Sequence, residues 1–128
     1  GDAIRDPRKL ETLKQYLASM PPGWRDEFHS GFKQRLEQSF APQLPMRIDS
    51  STVWTSIRMN KNAIFISAHT TDDRGADDIN YQYVKAYSCS TPVNVLMMLL
   101  GYDLRMSYYL ADGSYATQFE FNASKCGL

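Results

Sequence analysis

The stretch that decides the fold is Val53 to His69, VWTSIRMNKNAIFISAH. Val53, Thr55, Ile57 and Met59 alternate with Trp54, Ser56 and Arg58. After Asn60-Lys61-Asn62, Ile64, Ile66 and Ala68 alternate with Phe65, Ser67 and His69. Period two on both sides of a short Asn-rich turn specifies an antiparallel β-hairpin with one buried face. Strict alternation puts Trp54, Arg58, Phe65 and His69 on one face and the aliphatic residues on the other.

Toward the C-terminus, Thr71 to Asp78 (TDDRGADD) reads as a polar loop. A helix is expected from about Asp77 to Cys89, with Ile79, Tyr83, Val84 and Tyr87 on its apolar side. Thr91 and Pro92 form the cap and first position of a short apolar helix, Val93 to Leu100, and Gly101 is its left-handed stop. A second hairpin follows. Tyr102, Leu104, Met106, Tyr108 and Leu110 alternate with polar residues, Asp112-Gly113 makes the turn, and Tyr115, Thr117, Phe119 and Phe121 form the return strand.

Toward the N-terminus, Asp6-Pro7 starts a helix carrying Leu10, Leu13, Leu17 and Met20, which Pro21-Pro22-Gly23 ends. Trp24, Phe28, Phe32, Leu36 and Phe40 then recur in steps of four, and Pro42 and Pro45 close the helical part. This aromatic stripe is expected to pack on the sheet, the alternative being a face for a partner. The order is helix, helix, strand, strand, helix, helix, strand, strand. It implies an α+β fold: an antiparallel sheet of four to five strands, two hairpins with Met46 to Asp49 as the candidate fifth, covered on one side by about four helices. Residues 1–128 form one domain on this reading, helical over 1–45 and hairpin-helix-helix-hairpin over 46–126.

The chain has 14 basic and 14 acidic residues in 128, so its formal charge is zero. Nucleic-acid and anionic-membrane binding lean on a basic excess, and neither is expected here. The strongest apolar run, Val93 to Leu100, is far short of the roughly 20 residues of a spanning helix. Residues 1–20 are charged and amphipathic, unlike a signal peptide, so an exported protein would be read here in its mature form.

Cys89 and Cys126 show neither CxxC spacing nor a Cys/His cluster, which speaks against zinc and thioredoxin chemistry. They are buried free thiols or one disulfide. Burial is hard to arrange two residues from the end, which favours the bond. Closing the loop from 89 to 126 is worth about 4 kcal/mol and would place the protein in an oxidising compartment.

The second half also shows a familiar succession: Tyr87-Ser88-Cys89-Ser90-Thr91-Pro92, Leu99-Leu100-Gly101-Tyr102, Tyr108-Tyr109, Asp112-Gly113 and Lys125-Cys126. Over residues 46–126 it resembles small exported bacterial α/β proteins with a single cystine. These are the AspS-like pilotins of type II secretion and the quorum-sensing-regulated secreted virulence factors. The resemblance implies a Cys89–Cys126 disulfide and a non-enzymatic protein that is periplasmic, outer-membrane associated or secreted. Such a pilotin binds a helical C-terminal segment of a secretin subunit. Pilotins are usually anchored by a lipidated N-terminal Cys. No such Cys is present here, so an anchor would require a segment preceding residue 1. The N-terminal helix pair is longer than in the pilotin pattern.

Catalytic chemistry has thin support. His29 lies off the aromatic stripe and is expected in solvent. His69 has Asp72 and Asp73 nearby, but a general base also needs a nucleophile or a held water, and the sequence marks neither. The carboxylates of Asp72, Asp73, Asp77 and Asp78 lack the spacing of a calcium loop. Phosphate-loop, G-x-S-x-G and H-E-x-x-H patterns are absent. No catalytic residue, metal or cofactor is therefore expected. The candidate partner-binding residues are Trp54, Phe65, Tyr109, Met97 and Met98, offered to another protein's amphipathic helix or strand. The competing reading is an immunity or inhibitor protein that presents Asp72 to Asp78 to an enzyme's cleft.

Overall fold

The computed structural model describes residues 6–71 and 79–128. Among them the helices are α1 (Pro7–Ala18), α2 (Trp24–Arg35), α3 (Tyr81–Ser90) and α4 (Pro92–Leu99). The strands are β1 (Met46–Arg47), β2 (Thr52–Asn60), β3 (Ala63–Thr70), β4 (Asp103–Tyr109) and β5 (Tyr115–Phe121). They make one five-stranded sheet in the order β1-β2-β3-β4-β5. The fold is α+β.

Three of the four pairings are antiparallel, as alternation and turns led one to expect; the central one, β3 with β4, is parallel. The register explains it. Asp103 lies beside Ala63, so the chain leaves β3 at Thr70 and re-enters the sheet at the end where β3 began. That return needs a crossover longer than a hairpin turn, and α3 and α4 supply it.

One sheet face carries the core. Ile64, Ile66, Ala68, Leu104, Met106, Tyr108 and Phe121 are buried against Val84 of α3 and Val95, Met97 and Met98 of α4. The Cys89–Cys126 disulfide is formed, with Cα atoms 5.4 Å apart, and ties α3 to the segment after β5. Cys126 Sγ also lies 3.5 Å from Met98 Sδ, so the staple rests on the core.

Local chemistry sets the helix ends. Asp6 Oδ1 accepts from the Arg8 amide and Pro7 takes the first position of α1. α3 starts at Tyr81, where Asn80 Oδ1 accepts from the Tyr83 amide. At the end of α4 the Gly101 amide donates to Met98 O and the Tyr102 amide to Met97 O, both at 3.0 Å, with Gly101 at φ 98°. This is a Schellman ending, and the positive φ is why glycine stands there. Thr91 precedes α4 as expected, but its hydroxyl donates to Tyr87 O at 2.7 Å and so finishes α3 rather than capping α4.

Two irregularities shape the functional side. First, a β-bulge lies between Trp54 and Ser56. Met59 and Ile57 face the core opposite Ile64 and Ile66; past the bulge Trp54 does so opposite Ala68. The extra residue reverses the parity, so strict alternation misplaces Trp54, which packs against the core. Second, α2 runs on into a π-helical turn, Leu36–Phe40, and a 3₁₀ turn, Ala41–Gln43. In an α-helix a step of four overruns the turn by about 40°, so a stripe from Trp24 to Phe40 would wind off the sheet. The wider π turn undoes this drift and returns Phe40 to the side of Leu36, which is buried.

Candidate functional site

Where α2 runs on through the π turn over β2 and β3, an apolar groove of about 440 Å³ opens between it, the sheet and α4. Its walls are Phe32, Leu36 and Phe40 from the helical side, Trp54 and Ile57 from β2, Ile64 and Ile66 from β3, and Val93 and Met97 from the first turns of α4. Arg35, Ser39, Gln43 and Asn94 supply its polar groups. Val93 is 57% exposed, so this wall of the groove is open to solvent. Gln43 Nε2 donates to Ser39 O at 2.8 Å and pins the turn that forms one wall. With apolar walls and few polar groups, the groove suits an apolar surface presented by a ligand.

Behind Trp54 lies a small pocket whose walls include Ile48, Ile79, Val84 and Met106 and which carries a cluster of polar groups. Asp49, Thr52, Tyr83, Tyr87 and Tyr108 line it, and Trp54 separates it from the groove. Burial pushes the Tyr108 phenol up to about 12, and the Asp49 carboxylate adds to the shift. Burial also pushes Asp49 up, but hydrogen bonds from Ser51 and Thr52 outweigh it and hold this carboxyl below its usual range. The Tyr83 hydroxyl donates to Asp49 Oδ2 at 3.5 Å. This cluster fixes the far side of Trp54.

The five candidate residues separate. Trp54 and Met97 meet in the groove. Met98 is 2% exposed and belongs to the core beside the disulfide. Phe65 and Tyr109 stand on the opposite sheet face, Phe65 between the Arg58 and Arg105 guanidiniums and Tyr109 stacked on His69 at 4.9 Å. His29 is half-buried, contrary to the expectation of solvent: its Nδ1 lies 2.9 Å from the Tyr102 hydroxyl and its ring stacks on that tyrosine at 5.7 Å. The stripe touches Tyr102 through Phe32, and this draws the neighbouring turn of α2 down onto it. Asp72 to Asp78 lie outside the described residues. Among those described, no group of three or more His, Cys, Asp or Glu could hold a metal ion, and no helix is long and apolar enough to cross a membrane.

Sequence reasoning missed Ile57 and Val93 as groove walls, whereas Phe32, Leu36 and Phe40 stand in the stripe whose alternative reading was a face for a partner. The signal was present in the stripe itself, since steps of four sustained over five aromatic or leucine positions exceed what an α-helix keeps on one side.

Neither a family model nor a curated protein matches the chain by sequence. Solved structures do. The pilotin EpsS of the Vibrio vulnificus type 2 secretion system superposes with a TM-score of 0.64 at 13% identity, over 81% of this chain and 96% of that one. The fold is shared with the type II secretion pilotins. AspS, the Vibrio cholerae pilotin, gives 0.57 at 8% identity over 80% and 92% of the two chains. A protein of Pseudomonas aeruginosa described as secreted gives 0.63 at 12% over 83% and 99%. The resemblance read from residues 46–126 holds at the level of structure.

Proposed function

We propose that this protein is a non-enzymatic, pilotin-like adaptor of the bacterial envelope that grips a helical peptide segment of a secretion component. The observation that carries the reading is the apolar groove between the π turn of α2, the sheet and α4. An amphipathic helix recognised in this mode lays apolar anchors at i, i+3, i+4 and i+7 into such a groove. Trp54 and Met97 act as the rigid and the adaptable part of its floor. The shared pilotin fold and the single disulfide support an exported, envelope-associated setting.

Fluorescence anisotropy of a labelled peptide covering the helical C-terminal segment of a type II secretin subunit tests this. Saturable binding is expected, with a shift in tryptophan emission from Trp54. Val93→Asp puts a charge on an exposed wall and should weaken binding at least tenfold without unfolding the protein. Absence of saturable binding, or binding indifferent to Val93→Asp, rejects the reading.

A further inference from the structure

The sheet has a second face. The described helices pack on the side of Ile64, Ile66, Leu104 and Met106. On the other side the register lines up outward side chains in rows across the strands. One row is Arg58, Phe65, Arg105 and Glu120. The Arg58 and Arg105 guanidinium carbons lie 4.9 and 5.4 Å from the Phe65 ring centroid, and Arg105 Nε is 3.5 Å from Glu120 Oε2. The next row is small and polar: Ser56, Ser67 and Ser107, closed by Gln118, whose Nε2 donates to Ser107 Oγ at 3.4 Å. The third is aromatic. His69 stacks on Tyr109 at 4.9 Å, and Tyr109 meets Tyr115 edge-on at 5.8 Å.

Rows are two residues apart along each strand, so the two ridges stand about 13 Å apart, and the serine floor between them spans about 10 Å across three strands. The face is thus a shallow trough with a hydroxyl floor, one wall of guanidiniums stacked on a ring, and one wall of aromatic edges and faces. An amphipathic peptide helix finds no apolar pocket in it, since the aliphatic group among its paired side chains is Val53, at the end of the aromatic row. A chain of sugar rings fits better. Its C–H faces suit aromatic rings and its hydroxyls suit serine, glutamine and arginine donors. The charge is selective. Among the described residues Arg58 has no carboxylate partner, whereas Arg105 has Glu120.

We propose that this face binds an acidic polysaccharide strand along the serine row, with Arg58 taking a sugar carboxylate and Tyr109 and Tyr115 taking ring faces. A single-stranded nucleic acid would also find rings to stack on. Its phosphodiester backbone, however, offers the Ser56, Ser67 and Ser107 floor far fewer hydroxyls than a chain of sugar rings does. The site lies on the opposite face from the groove and stands independently of the adaptor reading.

The test is amide-resolved NMR titration of the full chain with three probes: alginate oligosaccharides, neutral chito-oligosaccharides and a single-stranded oligodeoxynucleotide. Saturable shifts at Ser67, Ser107 and Tyr109 with alginate are expected, with amides 93–97 unmoved. The neutral sugar should bind more weakly. Arg58→Gln should weaken alginate binding about fivefold, an effect that high salt erases, and Tyr109→Ala about tenfold, both variants keeping the wild-type circular dichroism. No saturable shift with alginate, shifts confined to the groove, neutral sugar bound as tightly, or tighter binding of the oligonucleotide would each overturn the proposal. A secretin peptide that still binds Arg58→Gln with wild-type affinity separates this test from that of the groove.

Discussion

Reducing the Cys89–Cys126 bond is the perturbation whose size follows most directly from the structure. The two residues are 37 apart in sequence. Chain-entropy arithmetic for a loop of that length gives about 4 kcal/mol at 25 °C. Unfolding entropy near the midpoint is about 2.1 cal/mol/K per residue, roughly 0.27 kcal/mol/K for this chain, so the melting temperature should fall by about 14 °C. Packing adds to the loss. Cys126, Ala123 and Leu128 lie against the core, and the Leu128 amide donates to Ala123 O at 2.8 Å. Freeing the tail exposes these groups. The assay is a circular-dichroism melt of native protein with and without a reductant, beside a Cys89→Ala/Cys126→Ala variant. Reduced protein and double variant should melt together, well below the oxidised form. A drop under about 4 °C would refute the view that this staple holds the C-terminal segment on the core.

Two further outcomes follow from buried and strained positions. Tyr108 ionises near 12 in the folded protein and near 10 when unfolded. A folded pKa raised in this way gives stability that is complete below pH 10 and is lost as pH rises from 10 to 12. Denaturant titrations across that range should show roughly 2 kcal/mol of loss, which Tyr108→Phe removes. Gly101→Ala forces a side chain into the left-handed region at φ 98° and should lower stability by about 1–2 kcal/mol, or about 4–7 °C in melting temperature. A neutral effect would mean that the α4 ending is relaxed.

The hairpins were legible because half-buried strands must alternate, and the helix starts because Asp6 caps α1 and Pro7 and Pro92 take first helical positions. The disulfide was legible because Cys89 and Cys126 show neither CxxC spacing nor a Cys/His cluster, and the resemblance over residues 46–126 implies their pairing. What escaped was non-local. The β3–β4 seam is parallel because α3 and α4 carry the chain back to the starting end of β3, which periodicity within each strand does not encode. The bulge at Trp54 has no residue signature, yet it turns that side chain from the face of Phe65 to the groove. His29 looked polar and outward on the helix; its partner Tyr102 lies 73 residues away. The groove was half visible in the aromatic stripe and became complete only when the π turn brought Leu36 and Phe40 back onto the sheet beside Trp54 and Ile57.

The central claim is that the groove under this π turn seats a helix. Amide-resolved NMR of the ¹⁵N-labelled protein, titrated with the helical C-terminal peptide of a type II secretin subunit, tests it most directly. Saturable shifts are expected at the Trp54 indole, at residues 36–40 and at residues 93–97. Shifts elsewhere with these signals unmoved, or none at all, would contradict it.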